Sequence, residues 1–293
     1  MTTPYHPGSL AVQDRVGVRE QAAHVGRSIS RGIRPVAAAF LELQPMLVLG
    51  AADGDGRLWS SLLTGRPGFV RATGPGQVSV TGGVRPDDPL AGALAVAGTR
   101  VGSLALDPRT RRRMRVNGRA RPTPRGLAIE ADEVFANCPK YLQQREGYAY
   151  ESTRAPGAAR HADRLDPAQQ AFVRAADTLF VATAAEDGAD ASHRGGNPGF
   201  VHVSSPTELS WPDYPGNAMF LTLGNLQADP RAGILLLDWA TGTTLQLSGT
   251  ARTEHHPDGR TVRFTVERVV QTDAASPLRW SPPAYSPANP PVD

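Results

Sequence analysis

One cysteine, Cys138, in a chain of 293 residues excludes an intrachain disulfide framework and fits a reducing, cytoplasmic setting. Lysine is almost missing too: Lys140 is the only one among 31 cationic residues, the rest being arginine. No apolar run approaches the roughly 20 residues that cross a bilayer, so no membrane span is expected. The start, Met1 to His6, lacks a basic region followed by an apolar stretch, so no signal peptide is expected. The net charge of +3 is too small to mark a nucleic-acid footprint. The run Arg109 to Arg115 is not interleaved with aromatics, and nucleic acid is not an expected partner. No Gly-x-Ser-x-Gly elbow, phosphate loop ending in Gly-Lys-Ser/Thr or metal-ligand cluster occurs. His255 and His256 are adjacent and would point apart on a strand.

What is present begins with 30 glycines and 26 prolines spread along the chain, which suits many short strands and tight turns. A repeat follows. Pro67-Gly-Phe-Val70 recurs as Pro198-Gly-Phe-Val201, and Val101 to Asp107 matches Ala232 to Asp238 at the same offset of 131. At that offset 19 of the 61 positions in 61–121 are identical, against about 4 expected for unrelated sequences of ordinary composition. Met46 to Gly50 and Leu179 to Thr183 read as strands, each leading to an Asp-Gly turn (Asp53-Gly54 or Asp55-Gly56, and Asp187-Gly188). Pro35 and Asp166-Pro167 mark helix starts before each copy. A mid-domain helix is expected after Asp88-Pro89, and again around Asn217 to Gln227. The chain therefore reads as mainly β with α (α+β), with two mostly antiparallel barrels. The expected segments are a helical lead-in over 1–34, a first domain over 35–147 and a linker over 148–165. A second domain over 166–275 and an extended tail over 276–293 complete the chain.

Function is sought where the copies differ. Leu62 and Leu63 in the first copy stand where His193 and Arg194 stand in the second. Ser192, Arg194 and the backbone N–H groups of Gly195 and Gly196 could hold a phosphate, through hydroxyl, guanidinium and amide donors. An ordinary glycine-rich turn with a solvated arginine is the competing reading. The stretch Trp211 to Asn217, with Leu223-Gly-Asn225, places aromatics beside amides, which suits a planar ligand or simply fills a barrel end. The arginines at 109–115 read as a solvated edge, or else Arg113 and Arg115 face the cleft, since they align with Thr244 and Gln246.

Ser192 to Val201, Pro212 to Asn217, Thr222 to Leu226 and Asp229 to Gly233 together resemble the pyridoxamine 5′-phosphate oxidase-like FMN-binding split-barrel family. Asn137 to Tyr141, Pro277 to Trp280 and Tyr285 to Pro290 resemble a tandem two-barrel subgroup of it. The resemblance implies two tandem split barrels with FMN between them. It puts Ser192, His193, Arg194 and Gly195 along the flavin edge and phosphate, and Asn217 and Asn225 near phosphate or ribityl contacts. It puts Thr244 and Gln246 on the strand facing the ring, with Lys140 and Trp280 as wall or substrate-side residues. The strand and basic pair of true pyridoxamine phosphate oxidases are absent, so the resemblance does not extend to vitamin B6 oxidation. It implies an FMN-dependent oxidoreductase acting on a small molecule with an electron donor or acceptor. The alternatives are a non-catalytic flavin- or haem-binding module and a deazaflavin-dependent reductase. One flavin per chain is expected, or two per homodimer, because copy one lacks the cation at Leu63.

Overall fold

Local signals set the ends of the elements. In this computed structural model, which describes residues 3–151, 153–186 and 188–292, Pro7 and Pro35 each open a helix. Helix α1 (Pro7–Val16) is capped by His6 and ends at Gly17, whose φ of 72° glycine adopts without strain. Helices α2 (Arg19–Gly26) and α3 (Pro35–Glu42) follow. Next come β1 (Met46–Ala52), β2 (Leu58–Thr64), β3 (Val70–Gly74), β4 (Gln77–Thr81), α4 (Ala91–Leu94), β5 (Thr99–Asp107), β6 (Arg112–Thr123) and β7 (Gly126–Ala136). The Asp53 carboxylate accepts from the N–H groups of Asp55 and Arg57, both at 2.9 Å, and so shapes the β1–β2 turn.

Short strands β8 (Tyr148–Tyr150) and β9 (Arg160–Ala162) lead to α5 (Pro167–Ala175), where Asp166 and Gln169 form a reciprocal capping box. The second copy then runs β10 (Thr178–Ala185), β11 (Gly188–Gly195), β12 (His202–Ser205), β13 (Glu208–Pro212), α6 (Leu221–Ala228), β14 (Arg231–Leu237), β15 (Thr244–His256) and β16 (Gly259–Thr272). Strand β17 (Leu278–Trp280) closes the series. Asp187, half of the second expected turn, lies outside the described residues.

The two copies share one topology. The first sheet has the order β2-β1-β5-β6-β7-β4-β3, and the second β11-β10-β14-β15-β16-β13-β12, with neighbours antiparallel. Even the irregularities repeat. A register shift at Asn117/Gly118 recurs at Ser248/Gly249, 131 positions on. A Cβ on either glycine would lie 1.9 Å from a carbonyl oxygen of the next strand, so only glycine fits the bulge. The chain is thus mainly β with α, built from two tandem split barrels. Each has its own core, with Leu49, Trp59 and Ile129 in one and Val181, Phe264 and Leu247 in the other.

A third core lies between the copies, formed by Met46, Val48, Leu104, Phe180, Leu235 and their neighbours. Its contacts are self-complementary. A Cβ on Gly102 would lie 2.4 Å from Asp190 Cα, and one on Gly233 would lie 2.5 Å from Trp59 Cα. These pairs interchange at the offset of 131, and Gly50 meets Ala182, its own counterpart, near the axis. Such exchange is the mark of a twofold interface, here built within one chain.

The segments outside the two sheets are more structured than expected. Strand β8, in the stretch read as a linker, pairs with β17 of the tail, and β9 pairs with β16. The tail is not simply laid over the surface, because Ser276, Leu278, Trp280 and Ser286 are buried. Among the described residues no helix is long and apolar enough to cross a membrane.

The seam geometry makes a stability prediction. Gly233→Ala should cost about 1–3 kcal/mol through overpacking against Trp59, whereas Gly54→Ala, with open space around it, should stay within about 0.5 kcal/mol. Urea unfolding midpoints compare the two; equal losses would contradict the close approach.

Candidate functional site

A twofold seam generates two equivalent clefts, one between β6 and β11 and one between β15 and β2. In this chain they differ. The first holds a pocket of about 100 Å³ lined by Arg113, Arg115, Lys140, His193, Arg194 and Asn217, among others. The second has only about 20 Å³, lined by Leu62, Asp88, Thr244, Gln246 and their neighbours. Position by position, Arg113, Arg115 and His193 are exchanged for Thr244, Gln246 and Leu62, and Arg194 for Leu63. The second cleft is plugged: Gln246 Nε2 donates to Ser60 O at 3.1 Å, Ser61 Oγ at 3.0 Å and Asp88 Oδ2 at 3.2 Å.

In the open cleft the cations outweigh their partners. Arg115 is paired with Asp190 at 2.8 Å, and Asn117 Nδ2 donates to the same carboxylate at 3.1 Å. Arg194 reaches Asp213 only at 3.7 Å, and that carboxylate is shared with Arg260 at 2.9 Å. Arg113 donates to Cys138 O at 2.8 Å and to His193 Nδ1 at 2.6 Å, and none of the ion pairs among the described residues includes it. Burial, Arg115 and Arg194 push its guanidinium down to about 9. An arginine stays charged at neutral pH, so this downward push expresses a missing counter-anion.

His193 is buried, and burial with the nearby Arg113, Arg194 and Arg115 holds it well below its ordinary value of 6.5. It is therefore neutral, accepts at Nδ1 and carries its proton on Nε2, which has no partner. Arg113 Nε, Arg115 Nε and Asn137 Oδ1, on three other lining residues, are likewise buried without partners. Orphaned polar atoms of this kind are rare and call for an occupant or a reason. Backbone strain gathers here as well. Of five non-glycine residues with positive φ among those described, Tyr141 (63°), Ala218 (61°) and Phe220 (56°) line this pocket. Tyr141 and Tyr214 form its rim with ring centroids 5.0 Å apart, and Tyr141 Oη donates to Pro215 O at 3.0 Å.

A larger cleft of about 540 Å³ opens at the other end of the same seam, lined by Arg100, Asn117, Glu133, Asp190 and Asn225 among others. The Arg115–Asp190 pair stands between the two, since Arg115 lines the pocket and Asp190 the larger cleft.

The structure brings His193, Arg194, Gly195, Asn217 and Lys140 together in the pocket. Gly195 admits the Tyr141 carbonyl, which a Cβ would meet at 2.1 Å. Other expectations are corrected. Ser192 is buried behind the pocket, donating to Val181 O and accepting from Thr222. The Gly196 N–H is taken by Asp177 O at 3.1 Å, so it is not free for a phosphate. Asn225 lines the larger cleft and donates to Thr183 at 3.0 Å. Thr244 and Gln246 face the plugged cleft, because the seam sets β15 against copy one and not against β11. Trp280 packs on Tyr148 and Trp239 in the core between the copies, and Trp211 packs on Phe264. Arg113 and Arg115 take the cleft-facing alternative. Asp190 carried no motif in the sequence, although the offset of 131 already set it against Trp59, and Asp213 and Asn137 lay in the resembling segments without a role of their own.

Residues 165–284 match the family model described as pyridoxamine 5′-phosphate oxidase. The match lies in the second copy, and it and the topology that both copies share fit a pyridoxamine 5′-phosphate oxidase-like split-barrel family. Among solved structures it is similar to HupZ from Group A Streptococcus, at 12% identity and a TM-score of 0.29, over 36% of this chain and 91% of that one. It is also similar to an FAD-binding protein from Mycobacterium smegmatis (12% identity, TM-score 0.28), over 39% of this chain and 98% of that one. The heme storage protein HutZ from Vibrio cholerae (12%, TM-score 0.27) is matched over 37% of this chain and 95% of that one. No curated protein matches the sequence.

The state of His193 has a thermodynamic consequence. Its folded value lies below 6.5, so under that pH the unfolded chain binds the extra proton. Stability should therefore fall as pH drops below about 6.5, by up to about 1.4 kcal/mol per unit, and be flat above it. Urea unfolding between pH 5 and 7 should show a shallower slope for His193→Gln than for the parent; parallel slopes would refute a neutral buried His193.

Proposed function

We propose that the chain binds FMN at the β6–β11 seam, with the phosphate in the pocket of Arg113, His193 and Arg194, and acts as an oxidoreductase on a small molecule. The observation that carries this reading is the cation excess of a pocket whose donors lack partners. Arg113 and Arg194 supply charge, and His193 Nε2–H supplies a neutral directed donor. At about 100 Å³ the pocket suits a phosphate group and lies below the range of whole-ligand sites. The larger cleft of about 540 Å³ falls within that range and supplies room beyond the phosphate.

A bound flavin would supply hydride transfer itself. The residues here would bind and orient it: Arg113 and Arg194 fix the anionic end, and the tyrosine rim shields that end from water. The plugged mate cleft supports one flavin per chain. A second reading, a binding module without turnover, is favoured by the Arg115–Asp190 pair, which divides the pocket from the larger cleft.

Denaturing the purified protein and weighing any released cofactor by mass spectrometry should give FMN at one per chain. Arg113→Ala and Arg194→Ala should each weaken FMN binding about 10- to 100-fold, from a loss of roughly 1.5–3 kcal/mol per charge-assisted bond. Leu63→Ala, at the first-copy position that matches Arg194, should leave it unchanged in whatever protein folds. Two flavins per chain, or retention that responds to Leu63 and not to Arg194, would place the site wrongly.

A further inference from the structure

We propose that helix α1 is a positioning element for the anion pocket and that Gln13 is the residue through which it acts. The helix belongs to neither repeat, yet it docks on the second copy, more than 200 residues away in sequence. Gln13 is fully buried, and its Nε2 donates to the Met219 carbonyl at 2.9 Å. Met219 sits between Ala218 and Phe220, the two left-handed residues at φ 61° and 56°. The segment Gly216 to Leu223 forms one whole wall of the pocket. The hydrogen bond therefore grips the strained turn at its centre.

Two further contacts hold the same turn. Gly8 and Gly224 meet backbone to backbone: a Cβ on Gly8 would lie 2.3 Å from the Gly224 oxygen, and one on Gly224 would lie 2.5 Å from the Ser9 nitrogen. Met219 and Leu221 are buried with Tyr5 and Ala22 of the lead-in and Phe135 of β7. The counterpart segment of the first copy, 85–92, has no left-handed non-glycine residue, no helix like α1 lies on it, and its cleft is closed. Among the described residues, strained turn, prop and open pocket occur together at one of the two clefts and not at the other. A turn of this kind persists only where its surroundings over-determine it, and α1 supplies that determination.

The inference rests on the pocket being an anion site, and the test separates the two. Inorganic phosphate is titrated into the full chain while the ring resonance of His193, assigned by its loss in His193→Gln, is followed by NMR. Gln13→Met keeps the side-chain length but cannot donate to Met219. It should displace the His193 resonance in ligand-free protein and weaken phosphate binding about tenfold, the scale of one strained residue relaxing. Gly8→Val, acting through the other contact, should do the same. Lower stability with unchanged phosphate affinity and an unmoved resonance would reduce Gln13 to a structural role and overturn the proposal. If the parent binds no phosphate, the anion reading falls, and the ligand-free resonance alone decides whether α1 shapes the pocket. Phosphate binding without FMN binding would sink the flavin reading and leave this one standing.

Discussion

Everything distinctive in this protein depends on the close approach of the two copies at Gly50, Gly102 and Gly233. Without Cβ atoms there, the backbones of β1, β5 and β14 come near enough to the other copy for Met46, Leu104, Phe180 and Leu235 to form a common core. That approach is what carries β6 of the first copy to β11 of the second. Arg113 and Arg115 then face His193 and Arg194 across a boundary between domains, where neither copy alone would hold a pocket. A twofold arrangement makes two such clefts by necessity, so the difference between them must come from side chains.

That difference is informative because the fold offers a neutral solution and uses it once. In the plugged cleft, Gln246, Ser61 and Asp88 satisfy one another beside the apolar Leu62. In the open cleft, three arginines are taken out of water with two nearby carboxylates, one of them shared with Arg260. Removing an ion from water costs several kcal/mol, and a buried pair is weak support for stability even when complete. A chain stabilised only for folding has no use for Arg113 here. Local rules broken without structural compensation mark functional sites, and this pocket breaks two: unpaired charge and left-handed non-glycine backbone.

The fold was largely legible in the sequence because duplication turns one pattern into two observations. The offset of 131 aligned the strands of 61–121 with those of the second copy, and the helices at Pro35 and Pro167 begin where those prolines stand. The site was legible in part. His193 and Arg194 emerged from the divergence of the copies, but Thr244 and Gln246 were set beside them although they belong to the other cleft. The same alignment paired Arg113 with Thr244 and Arg115 with Gln246, and only the seam decides which pair meets β11. Sequence also missed what depends on contacts remote in the chain. Nothing in Pro7–Val16 announces that Gln13 meets Met219, and Trp280 looks like an exposed ligand wall until Tyr148 and Trp239 enclose it. Glycine misled in a particular way. In the sequence Gly195 and Gly196 suggest room for a phosphate, whereas in the fold the space is taken by the Tyr141 carbonyl and the Phe200 side chain.

The two functional readings part at the Arg115–Asp190 pair. A ligand that is only an anion fits the pocket with the pair intact, since Arg115 Nε already faces it without a partner. A ligand that continues along the seam into the larger cleft must share or displace that pair. Breaking a buried ion pair costs about 3–5 kcal/mol, which the ligand's remaining contacts have to offset. Asp190 would not be stranded, because Asn117 already donates to it and links it to Glu133. On the proposed function the pair would act as a threshold: phosphate alone would not cross it, and a larger phosphate-bearing molecule would do so only by supplying contacts of its own along β6 and β11.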